Sequence, residues 1–211
     1  MATTDLYFVR HGETEYNRRR IVQGRKIDST LNDTGRRQAE ALAERLAGLD
    51  PVALYTSTLR RALQTTDRIA ERHPGVPVYR TEDLEEMSWG VHEGDAPSDA
   101  TDAIYGRWDR GEFDYQIDGG ESIRDVQERA LRAVRRVTSE HPGATVIVVA
   151  HGRLLRVLLA SLLNEYGLER MSEIEHDNTG VNHLRCRMDS YEACLLNCTA
   201  HLEKATVASV E

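Results

Sequence analysis

The chain has 211 residues, 29% of them charged and 40% from the AVILMFWYC set, a balance that fits one folded domain and excludes a disordered or fibrous chain. Its formal net charge is −8 with no block of Lys or Arg set against it, so no nucleic-acid partner is expected. The longest apolar stretch, Leu154 to Leu163, contains Arg156 and is far too short to span a bilayer. The start, Met1-Ala2-Thr3-Thr4-Asp5, lacks a basic n-region and an apolar h-region, so no membrane role and a cytoplasmic location are expected.

Leu6-Tyr7-Phe8-Val9 reads as a buried strand. Asn32 is placed to cap a helix with Ala39, Leu42, Ala43 and Leu46 on one face. Val52 to Tyr55 is a second strand, Leu59 to His73 reads helical, and Val76 to Tyr79 is a short third strand. Residues 81–118 are acidic, aromatic and irregular; they hold Trp89 and Trp108 and read as an insertion over one end of the fold. Ser122 opens a helix with Val126, Ala130, Ala133, Val134 and Val137 on one face. Val146-Ile147-Val148-Val149 has the β-branched run of a central parallel strand covered on both sides. Leu154 to Leu163 is an apolar helix, and Val181 to Arg187 with Glu192 to Asn197 reads as a closing hairpin. Cys186, Cys194 and Cys198 are too few and too bunched for a disulfide framework or a zinc site, and read as reduced thiols in that strand pair.

This alternation predicts an α/β fold: a three-layer αβα sandwich around a mostly parallel, doubly wound sheet with a C-terminal edge hairpin. The domain is expected to be single over 1–211, with the insertion at about 81–118. Ligands of such sheets bind outside the carboxyl ends of the strands. There the first strand ends in Arg10-His11-Gly12 and the central strand in Ala150-His151-Gly152. The second ends in Ser57-Thr58-Leu59-Arg60-Arg61. Two glycine exits that let a ligand approach, two arginines, two histidines and the N-termini of the following helices describe an anion site. Guanidinium forks suit phosphate in particular.

No G-x-x-x-x-G-K-[ST] loop occurs, no cysteine has an arginine six residues on, and no G-x-S-x-G elbow is present. No clustered Asp/His set suits a two-metal centre. Histidine remains as nucleophile: a neutral imidazole nitrogen attacks phosphorus while an acceptor, often a backbone carbonyl, holds the other nitrogen. The leaving oxygen then needs a carboxylic acid, and Asp83, Glu85, Glu86 and Glu93 are all available.

Arg10-His11-Gly12-Glu13-Thr14 resembles the R-H-G-[EQ]-[ST] motif of the histidine phosphatase superfamily, the phosphoglycerate-mutase-like proteins. The likeness continues through Asn17, Gln23-Gly24, Leu31-Asn32, Ser57-x-Leu59-x-Arg61-Ala62, Leu84-x-Glu86, Glu93-Gly94, Gly119-Gly120-Glu121-Ser122 and Val149-Ala150-His151-Gly152. It implies that His11 is the nucleophile and becomes phosphohistidine. It implies that Arg10, Arg61 and a cationic His151 bind the phosphoryl group and that Glu86 is the proton donor. Asn17, Gln23, Gly24 and the Gly152 N–H are implied as phosphate or substrate contacts, with no metal and no organic cofactor. Glu93 is expected to tie down the insertion, and Glu121 and Ser122 to cap a helix.

Mutases of the superfamily that use a bisphosphoglycerate cofactor usually continue Glu-Arg-x-Tyr-Gly and His-Gly-Asn-Ser. Here the stretches read Glu86-Met87-Ser88-Trp89-Gly90 and His151-Gly152-Arg153-Leu154. The expectation is therefore a metal-independent phosphomonoesterase acting on a small phosphorylated metabolite. A cofactor-dependent phosphoglycerate mutase and a regulatory phosphate-binding protein are the alternatives. The sequence leaves a homodimer open. It also leaves open whether Arg18, Arg19, Arg20 and Arg25 face a second anion or solvent. Trp89, Trp108 and Tyr105 either line the leaving-group pocket or form a small core of their own.

Overall fold

The computed structural model describes residues 2–207, and so covers the expected 1–211 domain except for its ends. In chain order the elements are β1 (Thr4–Arg10), α1 (Glu15–Arg18), α2 (Asp33–Leu46), β2 (Pro51–Thr56), α3 (Arg60–Glu71) and β3 (Val78–Arg80). Then come α4 (Asp99–Asp109), α5 (Ile123–Glu140), β4 (Thr145–Ala150), α6 (Gly152–Leu162), β5 (Val181–Arg187), β6 (Ser190–Cys198) and α7 (Ala200–Val207). The strands form one mixed sheet in the order β3-β2-β4-β1-β5-β6. β1 to β4 run parallel, and β5 and β6 close the far edge as an antiparallel hairpin. The expected sandwich is thus present.

Alternation along the central strands divides the core in two. Leu6 and Phe8 of β1 and Val146, Val148 and Ala150 of β4 face α5 and α6. Val9, Ile147 and Val149 face α2 and α3. Each strand is buried on both faces, which is why the sequence shows continuous apolar runs and no polar alternation. Asn32 caps α2 by accepting from the Gly35 N–H, and Ala39, Leu42, Ala43 and Leu46 are buried as the spacing predicted. The three cysteines are free, on β5 and β6.

The insertion departs from the irregular reading. Its residues 99–109 form α4, opened by a capping box in which Ser98 accepts from the Thr101 N–H. The buried stripe of α4 is Thr101, Ile104 and Trp108. One polar member broke the apolar periodicity and hid the helix. The third strand starts at Val78 and not Val76, because it is an exposed edge where only Leu54, Tyr55 and Thr56 offer partners.

Ser122 caps α5 as expected: it accepts from the Asp125 N–H at 3.1 Å while Asp125 accepts from the Ser122 N–H at 2.9 Å. Ser122→Ala is expected to lower unfolding free energy by about 1 kcal/mol in urea titrations, with an unchanged m-value.

Candidate active site

Strand register decides where the two His-Gly exits lie. Arg10 pairs with Ala150 across β1 and β4, so His11 and His151 leave the sheet side by side, their ring centroids 5.0 Å apart. Thr56 of β2 pairs with Val149, which brings Ser57 and the first turn of α3, with Arg61, to the same edge. At this edge lies an open cavity of about 240 Å³, to whose wall the insertion contributes Glu86, Trp89 and Tyr105.

His11 is buried, and its Nδ1 lies 2.7 Å from the Gly12 carbonyl oxygen. A carbonyl only accepts, so Nδ1 carries the proton and Nε2 is left with its lone pair. Burial first, then the Arg61 and Arg10 charges, push the His11 pKa well below the usual histidine value. The ring is therefore neutral at pH 7.

Arg61 is buried at 1% exposure and held on three sides. Its Nη1 donates to Ile27 O at 2.9 Å, its Nη2 to Gly24 O at 2.9 Å and its Nε to His151 Nδ1 at 3.2 Å. Burial pushes its pKa down to about 10, which leaves it charged at neutral pH. Arg10 donates from Nη1 to His176 O at 2.6 Å, while its Nε is sealed from solvent with no hydrogen-bond partner. Gly152 provides room for this guanidinium: a Cβ there would meet Arg10 Nε at 3.3 Å. Gly12 serves the scaffold and not a ligand, since a Cβ there would lie 2.4 Å from Gly35 O.

Eight of the nine expected site residues line the cavity: Arg10, His11, Asn17, Gln23, Gly24, Arg61, Glu86 and Gly152. His151 does not. It is fully buried behind them, and both of its ring nitrogens are engaged. Nδ1 accepts from Arg61, so Nε2 is the protonated nitrogen and donates to Ser57 Oγ at 2.8 Å. Burial, then the Arg61 charge, lower its pKa well below 6.5. The expected cation is thus a neutral ring that orients Arg61.

Glu86 and Glu85 point apart. Glu85 accepts from Thr58 Oγ1 and, at 2.6 Å, from Arg25 Nε, outside the cavity. Glu86 faces the cavity and takes three backbone N–H groups: Met87 at 2.9 Å, Leu154 at 3.0 Å and Arg153 at 3.2 Å. The N-terminus of α6 is therefore largely occupied by a protein carboxylate. That of α3 is likewise engaged, with Arg60 N donating to Asp28 Oδ1 at 2.6 Å. The anion site accordingly rests on guanidinium groups more than on the helix ends that the sequence suggested.

Asn17 Oδ1 is spent on Thr14, accepting from its N–H at 3.2 Å, which leaves the amide nitrogen for a ligand. Gln23 Oε1 accepts from Ser29 Oγ. Glu93 bonds the Lys26 N–H at 2.7 Å and the Trp89 N–H at 3.1 Å, tying the insertion to the 22–26 loop as expected. Glu121 is not a cap. It pairs with Arg129 through both oxygens, at 2.8 and 3.0 Å, because it faces that buried guanidinium one residue before the Ser122 cap. Arg129 also donates to the carbonyls of Asp83, Glu85 and Glu86, which fixes the turn carrying Glu86.

Arg18 pairs with Glu15 in solvent, Arg19 and Arg20 are exposed, and Arg25 pairs with Glu85 and Glu121. None lines the cavity. Trp89 and Tyr105 each pack edge to face with Trp108 and lie tilted against one another, and both also line the cavity, so both readings of the aromatics hold. Sequence reasoning missed Arg153, Arg156 and His176, which also line it. The signal for the arginines was their spacing of three on one face of α6. His176 comes from the loop before β5 and had no local signal.

A family model of the histidine phosphatase superfamily (branch 1) matches residues 6–199. The chain is 36% identical over 160 residues to a metal-independent phosphoserine phosphatase of Arabidopsis thaliana, covering 74% of this chain and 67% of that one. It is 37% identical over 173 residues to a glucosyl-3-phosphoglycerate phosphatase of Mycolicibacterium vanbaalenii, covering 77% and 76%. The crystal structure of a mutant phosphoserine phosphatase of Entamoeba histolytica in complex with phosphoserine superimposes with a TM-score of 0.82. It shares 27% identity, over 94% of this chain and 99% of that one. With two strand-exit histidines and two arginines at one sheet edge, the chain belongs to the histidine phosphatase superfamily.

Among the described residues, no group of three or more His, Cys, Asp or Glu side chains is placed to hold a metal ion, and no helix is long and apolar enough to cross a membrane.

His176 is buried, and burial pushes its pKa down to about 3. Unfolded, it titrates near 6.5, so below that pH the unfolded chain binds a proton that the folded one refuses, and stability falls as pH falls. Between pH 7.5 and 5.5 this histidine is expected to remove about 1.4 kcal/mol. In denaturant titrations at both pH values, His176→Gln is expected to lose about that much less than the parent chain. Equal losses would contradict the buried neutral ring.

Proposed function

We propose that this chain is a phosphoric monoester hydrolase in which His11 Nε2 attacks the phosphorus of a small phosphorylated metabolite. The observation that carries the reading is the Gly12 carbonyl on His11 Nδ1, which directs the imidazole lone pair at Nε2. As the N–P bond forms and the ester P–O bond breaks, Arg10 and Arg61 neutralise charge on the non-bridging oxygens. Asn17 and the Gly152 N–H, which no protein group takes among the described residues, supply neutral donors. Gln23 and Gly24 shape the wall, with Gly24 presenting its carbonyl to Arg61.

Glu86 gives its proton to the leaving oxygen. It then takes a proton from the water that attacks phosphohistidine, releasing inorganic phosphate and free His11. His151 holds Arg61 in place and leaves the ring neutral beside the nucleophile. The whole scheme uses the chain's own side chains, within one domain whose 81–118 segment contributes one wall of the cavity. The phosphatase names of the relatives favour water over a second substrate as the final acceptor.

Inorganic phosphate release from 4-nitrophenyl phosphate, with a chelator present, tests the reading. The parent chain is expected to turn over at an undiminished rate with chelator, and His11→Ala to lose several orders of magnitude in kcat. Arg10→Ala or Arg61→Ala is expected to cost about 10²-fold or more. Glu86→Gln is expected to slow alkyl phosphates more than nitrophenyl phosphate, because only the poor leaving group needs the proton. Equal loss on both would remove Glu86 as the acid.

A further inference from the structure

A turn just before β5 grips three of the residues assigned to phosphate. The His176 carbonyl oxygen accepts from Arg10 Nη1 at 2.6 Å. The Thr179 N–H donates to Arg10 O at 3.0 Å, with His11 O 3.4 Å from the same nitrogen. Asn178 Nδ2 donates to His11 O at 3.0 Å and reaches Asn17 Oδ1 at 3.4 Å. Asn178 itself does not line the cavity.

The turn is strained. Thr179 is fully buried with φ 59°, in the left-handed region that a β-branched residue rarely enters. Its Oγ1 donates to Asn178 O at 2.7 Å, and so accepts from His201 Nε2 at 3.1 Å. The Asp177 N–H donates to Asn197 Oδ1 at 2.8 Å, and Asn197 Nδ2 donates back to Asp177 Oδ2 at 2.9 Å. Asn197 is left-handed too, with φ 45°. Such backbone persists only where surrounding bonds over-determine it. Here they come from the end of β6 and from α7, and they hold the Asn178 amide against the exit of β1.

Asn17 shows what that amide does. Three donors converge on Asn17 Oδ1: the Thr14 N–H at 3.2 Å, Thr14 Oγ1 at 3.0 Å and Asn178 Nδ2. A flipped Asn17 sets its own N–H groups against all three, so Oδ1 stays with them and Nδ2 is left for the cavity. Thr14 shares a capping box with Asn17 and moves with it. Asn178 ties the same side chain to a separate part of the fold.

We propose that Asn178 is a positioning residue for phosphoryl transfer: it aims the Asn17 side-chain N–H at the phosphoryl oxygens and fixes the peptide from which the His11 ring projects. It acts through Asn17 and His11 and touches no substrate. The inference rests on the phosphatase reading, which places the phosphoryl group on those two residues.

A double-mutant cycle tests this. Asn178→Leu keeps the branched shape, removes the donor and adds no charge. It is expected to lower kcat/KM about tenfold or more, by the same factor for nitrophenyl and alkyl phosphates, since it loosens the grip on the phosphoryl group and leaves Glu86 in place. In the Asn17→Ala background the same substitution is expected to cost at most about threefold, because the group it aims is gone. Equal losses in both backgrounds, a loss confined to alkyl phosphates, or full activity in Asn178→Leu overturns the proposal.

Calorimetry with inorganic phosphate, on the parent, both single variants and the double variant, separates the two claims. Its stoichiometry gives the competent fraction to which rates are normalised, and Asn178→Ala makes the same comparison where the leucine variant does not fold. If the parent turns over no phosphate ester, the phosphatase reading fails. A phosphate affinity that Asn178→Leu weakens in the parent, and leaves nearly unchanged beside Asn17→Ala, still supports the positioning role. Equal phosphate affinity in the parent and Asn178→Leu, or a parent that binds no phosphate, overturns it.

Discussion

A buried guanidinium without a carboxylate partner is the constraint on which the site depends. Arg61 is 1% exposed, and what compensates it is two backbone carbonyls and one imidazole nitrogen. Removing an unpaired cation from water is costly, and neutral acceptors offset only part of the cost. Burial first, and then the field of Arg61 with that of Arg10, keeps both histidines uncharged. A neutral His11 with Nδ1 tied to a carbonyl is the form that has a lone pair to offer. In the proposed mechanism the charge that destabilises the cavity is the charge that a transferring phosphoryl group neutralises, so stability given up in the fold would return as affinity for the transition state.

The insertion is held by ordinary means. Arg129 pairs with Glu121 and donates to the carbonyls of Asp83, Glu85 and Glu86, and Glu93 ties the 88–90 turn to the 22–26 loop. Because these bonds fix the backbone on either side of Glu86, its carboxylate has one direction left, toward the cavity and the first turn of α6. The carboxylate that we propose as proton donor is thereby separated from Glu85, which is consumed by Thr58 and Arg25.

The sheet was legible in the sequence because β1 and β4 are covered on both faces and show it as unbroken apolar runs. The histidine pair was legible because each follows such a run directly, and the tautomer requirement on His11 followed from the chemistry of the ring. What the sequence hid depends on contacts between distant segments. The neutral state of His151 needs Arg61 Nε at its Nδ1, from a residue 90 positions away. The occupied end of α6 needs Glu86 from the insertion. Helix α4 was hidden because Thr101 interrupts its buried stripe, and His176 because only tertiary packing carries it to the cavity. The motif singled out Glu86 over Glu85, and in the fold Glu85 pairs with Arg25 while Glu86 lines the cavity.

Passage of the phosphoryl group through nitrogen is what separates this mechanism from direct attack by water. The direct measurement is a millisecond quench of the parent chain with a phosphate ester into alkaline denaturant, followed by peptide mapping and mass spectrometry. The expected adduct lies on the peptide containing His11, is stable in base and lost in acid as a phosphorus–nitrogen bond is, and forms in the first turnover. Phosphate recovered on any other residue, or a first turnover that proceeds with no phosphoenzyme at any time point, would contradict it.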